Sequence, residues 1–442
     1  MGYMSVAFGG LVAFLFRSVN LLIGLLTLVV TANELGAAGR GTYVLGATVI
    51  GIVAAMTGGL TASTAYQVAN QKRDPGAVLV NGGVVAAPFG VLAVISGIVA
   101  GEVLSGEPAA VAVSLGAGAA AVVVTSVVSG VYLGHDALVR YNITLVLPPL
   151  MSLAAIAVTT VVLEQDTPGA ALWAFAVGQW LAMPILFGVG GLALVRSIRF
   201  EGDLAATMLR FSALAGISSA VSYLNYRADA LVVERYEGTR GVGIYSVAVY
   251  MGESVWQFSG SLALATYARI GGATRAEAIA LTTRVMRHTL VILGAVCLGL
   301  FAAADLLVGF LDPDYEPAAA ALRIMLPGVL LYGLATAFSG YYTYQRGMPW
   351  ASALVAAAGL IIDIALALWL VPAYGINGAA LASTVAYVAT ILGALAIFAV
   401  ESRVSPAEIF RFGRADLEDY RSFFRRLRSM ASRGSDSTAQ AQ

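Results

Sequence analysis

The sequence predicts an all-α polytopic membrane protein, with twelve transmembrane helices arranged as two parallel six-helix repeats around a central cavity. Three observations support this fold class: the composition, the length of the apolar runs and an internal repeat. Of the 442 residues, 59% are hydrophobic and 11% are charged, against about 25% charged residues in soluble domains. The mean hydropathy of +0.84 therefore argues against a soluble chain and against a disordered one.

The scarcity of ionisable residues restricts the chemistry open to the chain. The 25 basic and 25 acidic side chains balance, so no bulk charge attracts a nucleic-acid partner. Cys297 is the single cysteine, and His135 and His288 are the only histidines. A disulfide framework and a Cys/His metal cluster are therefore not expected. We predict no catalytic residues, no metal site and no cofactor.

Twelve apolar runs are long enough to cross a bilayer, which takes about 20 mostly apolar residues as a helix. They are rich in Leu, Ala and Val and do not alternate in polarity, so they predict helices rather than barrel strands. The predicted spans are 6–31, 42–66, 77–100, 109–133, 142–163, 169–195, 208–233, 243–268, 289–311, 319–344, 350–372 and 377–399.

The distribution of basic residues predicts the orientation of these spans. With the N-terminus in the cytoplasm, nineteen lysines and arginines fall in the inner connections, at the inner end of span seven (Arg210) and in the C-terminal tail. Only Arg40, Arg235 and Arg240 then fall in the outer connections. Because basic residues are retained on the cytoplasmic side, we expect a multi-pass protein of the cytoplasmic (plasma) membrane with both termini in the cytoplasm.

An internal repeat divides the chain. A glycine motif after span one recurs after span seven, 202 residues later, and a Gly-Ala-Ala-Leu motif of span six recurs in span twelve, 209 residues later. Six spans per half is an even number, so the halves have the same orientation, and a substrate site is expected between them near the midplane. The motifs are Gly36-x-x-Gly39-x-Gly41-x-Tyr43 with Gly238-x-x-Gly241-x-Gly243-x-Tyr245, and Gly169-Ala170-Ala171-Leu172 with Gly378-Ala379-Ala380-Leu381.

The repeat also sets the predicted domains. A first lobe at 1–200 and a second lobe at 201–400 precede a cytoplasmic tail at 401–442. The glycine motifs are expected at outer corners, where a positive φ and close backbone contact favour glycine. Apolar residues between arginines in the tail fit either an amphipathic helix on the membrane surface, followed by a disordered end, or a charged tail that only fixes topology.

Ionisable side chains inside the spans each need a reason, because they cost at least ~2.5–3.5 kcal/mol at a helix centre. Arg17 lies midway along span one with Asn20 one turn further on, so both are expected to face a cavity. The alternative for Arg17 is an internal ion pair with an acid such as Glu253. Asp305 and Arg323 lie near the outer ends of spans nine and ten and predict an ion pair at the rim.

Spans seven and eight carry most of the remaining polar groups. Arg227 and Asp229 are two residues apart and point in different directions, so they are not expected to neutralise each other. Asp363 lies deeper and has no partner nearby in the sequence, which leaves a proton-coupling acid and a paired acid both open. Span seven carries Tyr223, Asn225, Tyr226, Arg227 and Asp229, and one face of span eight carries Ser246, Tyr250, Glu253, Gln257 and Ser261.

Several stretches resemble a known family, the Wzx-type polysaccharide flippases of the MOP (MATE-like) superfamily. The resemblance runs through the whole chain in order. The similar stretches are Leu35-Gly-Ala-Ala-Gly-Arg-Gly-Thr-Tyr-Val-Leu45, Tyr226-Arg-Ala-Asp229, Gly243-Ile-Tyr-Ser-Val-Ala248 and Tyr374-Gly-Ile-Asn-Gly-Ala-Ala-Leu-Ala-Ser-Thr-Val-Ala-Tyr387.

This resemblance implies a transporter that flips polyprenyl-(pyro)phosphate-linked oligosaccharide from the cytoplasmic to the outer leaflet by alternating access, for surface polysaccharide biosynthesis. It implies a cationic cavity for the anionic head group, and polysaccharide assembly proteins as further partners. Coupling to protons or sodium is left open, with Asp229, Glu253 and Asp363 as candidates. The candidate substrate-binding residues are Arg17, Asn20, Tyr223, Asn225, Arg227 and Gln257.

Other functions fit the sequence less well. A MATE-like ion-coupled exporter of small molecules is the main alternative, although an acid would be expected in span one where Arg17 stands. The lipid II flippase branch has more spans, and the connection after span two lacks the major-facilitator motif. A membrane glycosyltransferase, polymerase or ligase would need a large outer loop or a catalytic domain, and the sequence shows neither.

Overall fold

A computed structural model of the chain describes residues 6–104, 108–135, 137–188, 199–224, 226–413, 416 and 421. All regular structure in these residues is helical. Eight of the described helices are long and apolar enough to cross a membrane, judged by length and composition. Two of the eight, Phe14–Ala69 and Trp350–Ser402, have 56 and 53 residues and are kinked at a glycine, so that each supplies two spans.

The helices of the first half correspond to predicted spans one to six. Helix α1 is kinked at Gly36 and contains spans one and two, and α4 is extended by a π-helical turn at Val158–Val162. The bounds are α1 Val6–Ala69, α2 Pro75–Leu104, α3 Pro108–Gly134, α4 Leu138–Ala157 and α5 Pro168–Gly188.

The second half is built in the same order but with more interruptions. Spans seven, eight and ten are each broken into two helical pieces, whereas α12 contains spans eleven and twelve and is kinked at Gly375. The bounds are α6 Gly202–Leu224, α7 Ala228–Glu253, α8 Trp256–Gly272, α9 Arg275–Val308, α10 Pro317–Tyr332, α11 Ala335–Gly340, α12 Pro349–Ser402 and α13 Pro406–Ile409. The predicted fold class is confirmed.

The repeated glycine motifs form two corners with the same backbone. Gly36 has φ 65° and ψ 177°, and Gly238 has φ 66° and ψ −173°. A side chain at either position would strain the backbone, because positive φ is costly for residues with a Cβ. Equivalent residues 202 positions apart therefore share one unusual conformation, which confirms the repeat read from the sequence.

Each half has its own apolar core. In the first half, buried side chains such as Leu60, Val85 and Leu115 form one cluster. A larger cluster fills the second half around Leu293 and Leu322 and also includes residues of span one. The halves touch along two seams, where spans one and two of the first half meet spans eight and seven of the second. The candidate site lies along these seams.

One basic residue lies in a different setting from the one expected. The predicted spans leave Arg40 in the connection between spans one and two, but it lies inside α1, just after the Gly36 corner, and is 4% exposed. The predicted helix–helix corner is present, and the chain resumes its helix immediately after one positive-φ residue. The corner is therefore a buried helix junction.

Part of the predicted tail packs against the second half. Ile409 of α13 is buried, and the carboxylate of Asp416 pairs with Arg287 of α9 at 3.1 Å. The side chain of Asp416 is 2% exposed. The other apolar residues predicted to form an amphipathic face beyond Phe412, namely Tyr420, Phe423, Leu427 and Met430, lie outside the described residues.

Candidate functional site

The seam between spans one and eight exposes polar side chains in the half nearer the N-terminus. Arg17 and Asn20 of α1 are exposed, and so is Gln257 of α8. The guanidinium of Arg17 lies beside Gly260, one helical turn from Gln257: a Cβ on Gly260 would be 3.2 Å from Arg17 Nη1. We call the space between these two helices, lined by Arg17, Asn20, Gln257 and Gly260, the cleft.

Farther from the N-terminus, the same seam is closed by packing. The Tyr250 side chain fills the space beside Gly24, and on the other seam the Tyr223 side chain fills the space beside Gly51. Tyrosines of the second half thus pack against glycines of the first. Because these contacts lie farther from the N-terminus than Arg17, they close that part of both seams.

Arg17 forms no ion pair within the described part of the chain. The alternative considered from the sequence, a bridge between Arg17 and Glu253, is wrong, because Glu253 Oε2 accepts a hydrogen bond from Arg227 Nη1 at 2.9 Å. An arginine midway along a membrane helix needs water or an anion around it. Its position beside the opposite half supplies such a space.

Arg227 differs from Arg17 because its charge is matched. Its side chain is 27% exposed and that of Glu253 is 14% exposed, and the guanidinium carbon lies 6.0 Å from the ring centroid of Tyr223. Its Nη1 also donates to the carbonyl of Tyr226 at 2.7 Å. As expected, Arg227 does not pair with Asp229. The pair with Glu253 leaves Arg227 a weaker attractor of anions than Arg17.

Four aromatic side chains pack beside this ion pair, with neighbouring ring centroids 4.8 to 6.0 Å apart. Three of them mark the helix interruptions: Tyr226 lies between α6 and α7, Trp256 begins α8, and Tyr332 ends α10. Broken helices leave backbone groups to be satisfied and commonly surround transport sites. The fourth is Tyr387 of α12.

Two buried carboxylates lie deeper in the second half, in what we call the carboxylate cluster: Asp229, Asp363, Tyr245 and Ser383. Asp229 is 4% exposed. Its Oδ2 accepts hydrogen bonds from the Tyr245 hydroxyl at 2.5 Å and from Ser383 Oγ at 3.2 Å, and its Oδ1 accepts one from the Ala230 amide at 2.8 Å. These bonds fix the orientation of the carboxylate.

Asp363 completes the carboxylate cluster. It is also 4% exposed and interacts with Ser383 and with Asp229. Its Oδ1 is buried with no hydrogen-bond partner among the described residues. Two buried carboxylates close together cannot both remain charged without a compensating cation or a shared proton. The arrangement can therefore take up a proton or a small cation.

The predicted residues thus fall into three places. Arg17, Asn20 and Gln257 line the cleft, Tyr223, Arg227 and Glu253 lie at the helix interruptions, and Asp229 and Asp363 lie in the carboxylate cluster. Asn225 lies outside the described residues. Sequence reasoning missed Tyr245 and Ser383 as partners of Asp229, although both stand in the motifs on which the resemblance rests. The signal that could have indicated them is a hydroxyl side chain among small apolar residues in each motif.

The rim pair predicted from the sequence is confirmed. Arg323 Nη2 donates to Asp305 Oδ2 at 2.6 Å, and Nη1 donates to Oδ1 at 2.9 Å. The Asp305 side chain is 74% exposed, so this pair lies outside the site. The described residues contain no group of three or more His, Cys, Asp and Glu side chains that could hold a metal ion.

No protein-family model matches the chain, and no curated protein matches it in sequence. Solved structures do match its fold. An inward-facing multidrug resistance MATE family transporter of the MOP superfamily has a TM-score of 0.73 at 17% identity, over 90% of this chain and 99% of that chain. The lipid II flippase MurJ, in an inward closed conformation, has a TM-score of 0.73 at 15% identity, over 91% and 89%.

A third match is a MOP superfamily transporter from Pyrococcus furiosus, for which reverse polarity of the binding pocket suggests a different function. Its TM-score is 0.65 at 17% identity, over 90% of this chain and 95% of that chain. At these identities the likeness establishes the fold. The chain is therefore a multi-pass membrane protein with the fold of MOP superfamily transporters.

Proposed function

We propose that this protein is a flippase of the MOP superfamily, which moves a polyprenyl-(pyro)phosphate-linked oligosaccharide from the inner to the outer leaflet by alternating access. The proposal places the protein in the plasma membrane with both termini in the cytoplasm, in a pathway of surface polysaccharide biosynthesis. Polysaccharide assembly proteins are the partners that this pathway would supply.

The observation that carries the proposal is the setting of Arg17. It is an exposed arginine without an ion-pair partner among the described residues, and it lies between the two halves, beside Gly260 of the second half. A guanidinium in that position suits a phosphate, which it can bind through two parallel hydrogen bonds. Asn20 and Gln257 offer amides to sugar hydroxyls from the same walls.

The matching structures fit this proposal without deciding the substrate. Both a flippase for lipid II and MATE transporters share the fold, so the fold accommodates lipid-linked and small substrates. The reversed polarity described for the Pyrococcus furiosus transporter suggests that pocket charge varies within the superfamily. A pocket arginine in place of an acid favours an anionic substrate here.

The carboxylate cluster is the proposed coupling site. Asp229 and Asp363 hold their buried carboxylates at one place, and Glu253 connects that region to the helix interruptions through Arg227. Binding of a proton or sodium ion there would change the charge balance inside the second half. Such a change would favour one arrangement of the halves over the other.

Reconstitution tests the proposal directly. Purified full-length protein in liposomes should move a fluorescent polyprenyl-diphosphate-linked oligosaccharide between leaflets, measured by quenching from outside. Arg17→Ala should slow this movement about 10- to 100-fold, since one charged hydrogen-bonding partner is worth ~1.5–3 kcal/mol. Arg17→Lys should recover part of the rate, because it keeps the charge and loses the paired geometry.

The matched control is Arg199→Ala, which removes an exposed arginine outside the cleft at the same end of the bundle. Its rate should equal that of the parent protein. If the parent protein does not move the glycolipid, the flippase proposal fails. If Arg17→Ala moves it at the parent rate, flipping does not depend on Arg17 and the proposed phosphate-binding role of Arg17 is wrong.

A second function, ion-coupled export of small molecules, is favoured by one specific observation. The buried pair of Asp229 and Asp363 is the kind of acidic site that can exchange protons or sodium, and a MATE transporter is among the structural matches. Uptake of a cationic dye into inverted vesicles, driven by a proton or sodium gradient and abolished by Asp363→Asn, would support this function over glycolipid flipping.

A further inference from the structure

Arg40 is a buried charge at the outer seam, and its hydrogen-bond partners are all neutral oxygens. Arg40 is 4% exposed. Its Nε donates to Ser246 Oγ at 3.1 Å, and its Nη1 donates to the carbonyl of Leu28 at 3.3 Å and to Thr31 Oγ1. Within the described ranges no carboxylate forms an ion pair with it, and the ionisable groups that it interacts with are tyrosines.

Packing alone does not require an arginine at this corner. The repeat places Val242 at the equivalent position of the second half, 202 residues later, and Val242 is fully buried. The two corners share their backbone conformation, as Gly36 and Gly238 show. Since a valine fills the same position in the second half, the charge of Arg40 serves a purpose other than building the corner.

The surroundings of Arg40 favour an anion. The helical segments that follow Gly36 and Gly238 both begin here, and helix N-termini carry a partial positive charge. A guanidinium near such an end gains nothing from the helix dipole, so its burial without a carboxylate costs free energy. That cost is recovered in a state where an anion reaches the same place.

A short turn of the second half packs against this arginine. Tyr315, in the short 3-10 turn Pro313–Tyr315, interacts electrostatically with Arg40, and its buried hydroxyl has no hydrogen-bond partner among the described residues. Exposed contacts hold the turn in place: the Asp312 amide donates to Asn33 Oδ1 at 3.1 Å, and Arg240 pairs with Asp314 at 3.1 Å. Exposed contacts of this kind are weak, whereas the Tyr315 side chain is fully buried in the apolar core of the second half. Opening at this end therefore requires Tyr315 to leave that position.

We infer that Arg40 is a second anion-binding residue, which is exposed when the halves separate on the outer side and then binds the phosphate of the substrate before release. Leu28 and Thr31 belong to the same half as Arg40, but Ser246 belongs to the other. Separation therefore frees Nε while the other two contacts keep the side chain oriented. That the phosphate belongs to a glycolipid rests on the function proposed above.

Arg17 and Arg40 would then bind the phosphate at the start and at the end of its movement across the membrane. Leu28, which orients Arg40, is eleven residues beyond Arg17 on the same helix, a rise of about 16 Å. A head group bound at Arg17 in the inward-open state would meet Arg40 after the cleft closes and the outer seam opens.

Accessibility of the seam to a thiol reagent tests this site without any glycolipid. The full-length protein in nanodiscs carries Ser246→Cys as the reporter, Cys297→Ala to remove the native thiol, and Arg17→Gln so that an anion cannot act from the cleft. Alkylation by a charged maleimide is measured with and without sodium pyrophosphate. With Arg40 present, pyrophosphate should slow alkylation about tenfold, the effect of one charge-assisted contact.

Arg40→Gln should abolish this protection, and Arg40→Lys should keep part of it. The matched control is Arg235→Gln, an exposed arginine just before the Gly238 corner in α7, whose loss should leave the protection intact. Equal protection with Arg40→Gln, or no protection with Arg40 in place, overturns the inference. Absence of protection with Arg40 in place, together with faster alkylation of the Arg40→Gln variant without pyrophosphate, would show that Arg40 only holds the seam closed.

The two proposals can fail separately. If pyrophosphate protection depends on Arg40 but no polyprenyl-linked glycan changes leaflet, the anion site stands and the proposed cargo is wrong. If the glycolipid is flipped while protection is the same in Arg40→Gln, the flippase stands and the outer anion site is wrong.

Discussion

Gly41 and Gly243 occupy equivalent positions in the two halves, and each lies against the main chain of the other's motif. A Cβ on Gly41 would overlap the carbonyl of Thr239, and a Cβ on Gly243 would overlap the carbonyl of Ala37. Ala37 and Thr239 are themselves equivalent, 202 residues apart. This reciprocal contact is the signature of a two-fold relation, and it ties the halves together at the two glycine corners.

Substitution of either glycine should therefore destabilise the protein. Gly41→Ala or Gly243→Ala forces two backbones apart and should cost ~1–3 kcal/mol, as overpacking does elsewhere. The measurement is the thermal unfolding midpoint of the purified protein in detergent. Because the two contacts share one interface, the double variant should cost less than the two single losses added together.

The control for this prediction is Gly294→Ala in α9, where an added Cβ meets nothing within 4 Å. Alanine is a better helix former than glycine by about 1 kcal/mol, so this variant should melt at the same temperature as the parent or higher. Equal midpoints for Gly41→Ala and Gly294→Ala would show that the corner contact does not matter for stability.

The pair of Arg227 and Glu253 should matter more than the pair at the rim. Removing one partner of a largely buried pair leaves an uncompensated charge and should cost ~3–5 kcal/mol at the upper end. Glu253→Gln is therefore expected to lower the unfolding midpoint clearly. Asp305→Asn removes the acid of the exposed rim pair and should change stability by ~0–1 kcal/mol.

A double variant separates charge pairing from other effects. Arg227→Gln combined with Glu253→Gln removes both charges, so it should recover part of the stability that Glu253→Gln loses. If the stability that the double variant loses relative to the parent protein equals the sum of the two single losses, the two side chains do not act as a pair.

The large features of the fold were readable from the sequence because they depend on local composition. Run lengths predicted the spans, and the glycine motifs predicted both the repeat and the positive-φ corners at Gly36 and Gly238, since these depend on residue type at fixed spacing. Arg17 could be predicted as a site residue because a charged residue midway along an apolar run lies within the membrane wherever the ends of the span are placed.

The partners of the charged residues could not be predicted, because they depend on which helices meet. Glu253 is 26 residues from Arg227 and faces it because α7 is kinked at Gly238 between them. A glycine indicates such a corner but not which side chains meet across it. Ser383 reaches Asp229 from 154 residues away, a contact that only the packing of α12 against α7 creates.

The carboxylate cluster should set the ion dependence of transport. Asp363→Asn removes one of two neighbouring carboxylates, so the proton or cation that the pair shares is no longer needed. Transport by this variant, measured at pH 5.5 to 8 with sodium or potassium, should lose any dependence on the coupling ion. The control is Asp305→Asn, whose carboxylate is exposed at the rim; its ion dependence should match that of the parent protein.

The docked tail gives a prediction about charge. Asp416 pairs with Arg287 of α9, and the Gly413 amide donates to Asp416 Oδ2 at 2.8 Å. Asp416→Arg should release the tail through repulsion, and adding Arg287→Asp should restore docking with the charges exchanged. A spin label on Phe412→Cys, in a Cys297→Ala background, reports the release as increased mobility.

The same contact predicts how docking depends on pH. Desolvation by burial raises the pKa of Asp416, but the Gly413 amide and Arg287 outweigh it and hold the pKa below its usual value. A lowered pKa in the folded state means that the contact stabilises docking above the ordinary aspartate pKa of about 3.9 and is lost only as the pH falls through the lowered value. The spin label should therefore report the same restricted mobility from pH 5 to 8. Increased mobility anywhere in that interval would show that another group controls docking, whereas Asp416→Asn should be mobile at every pH.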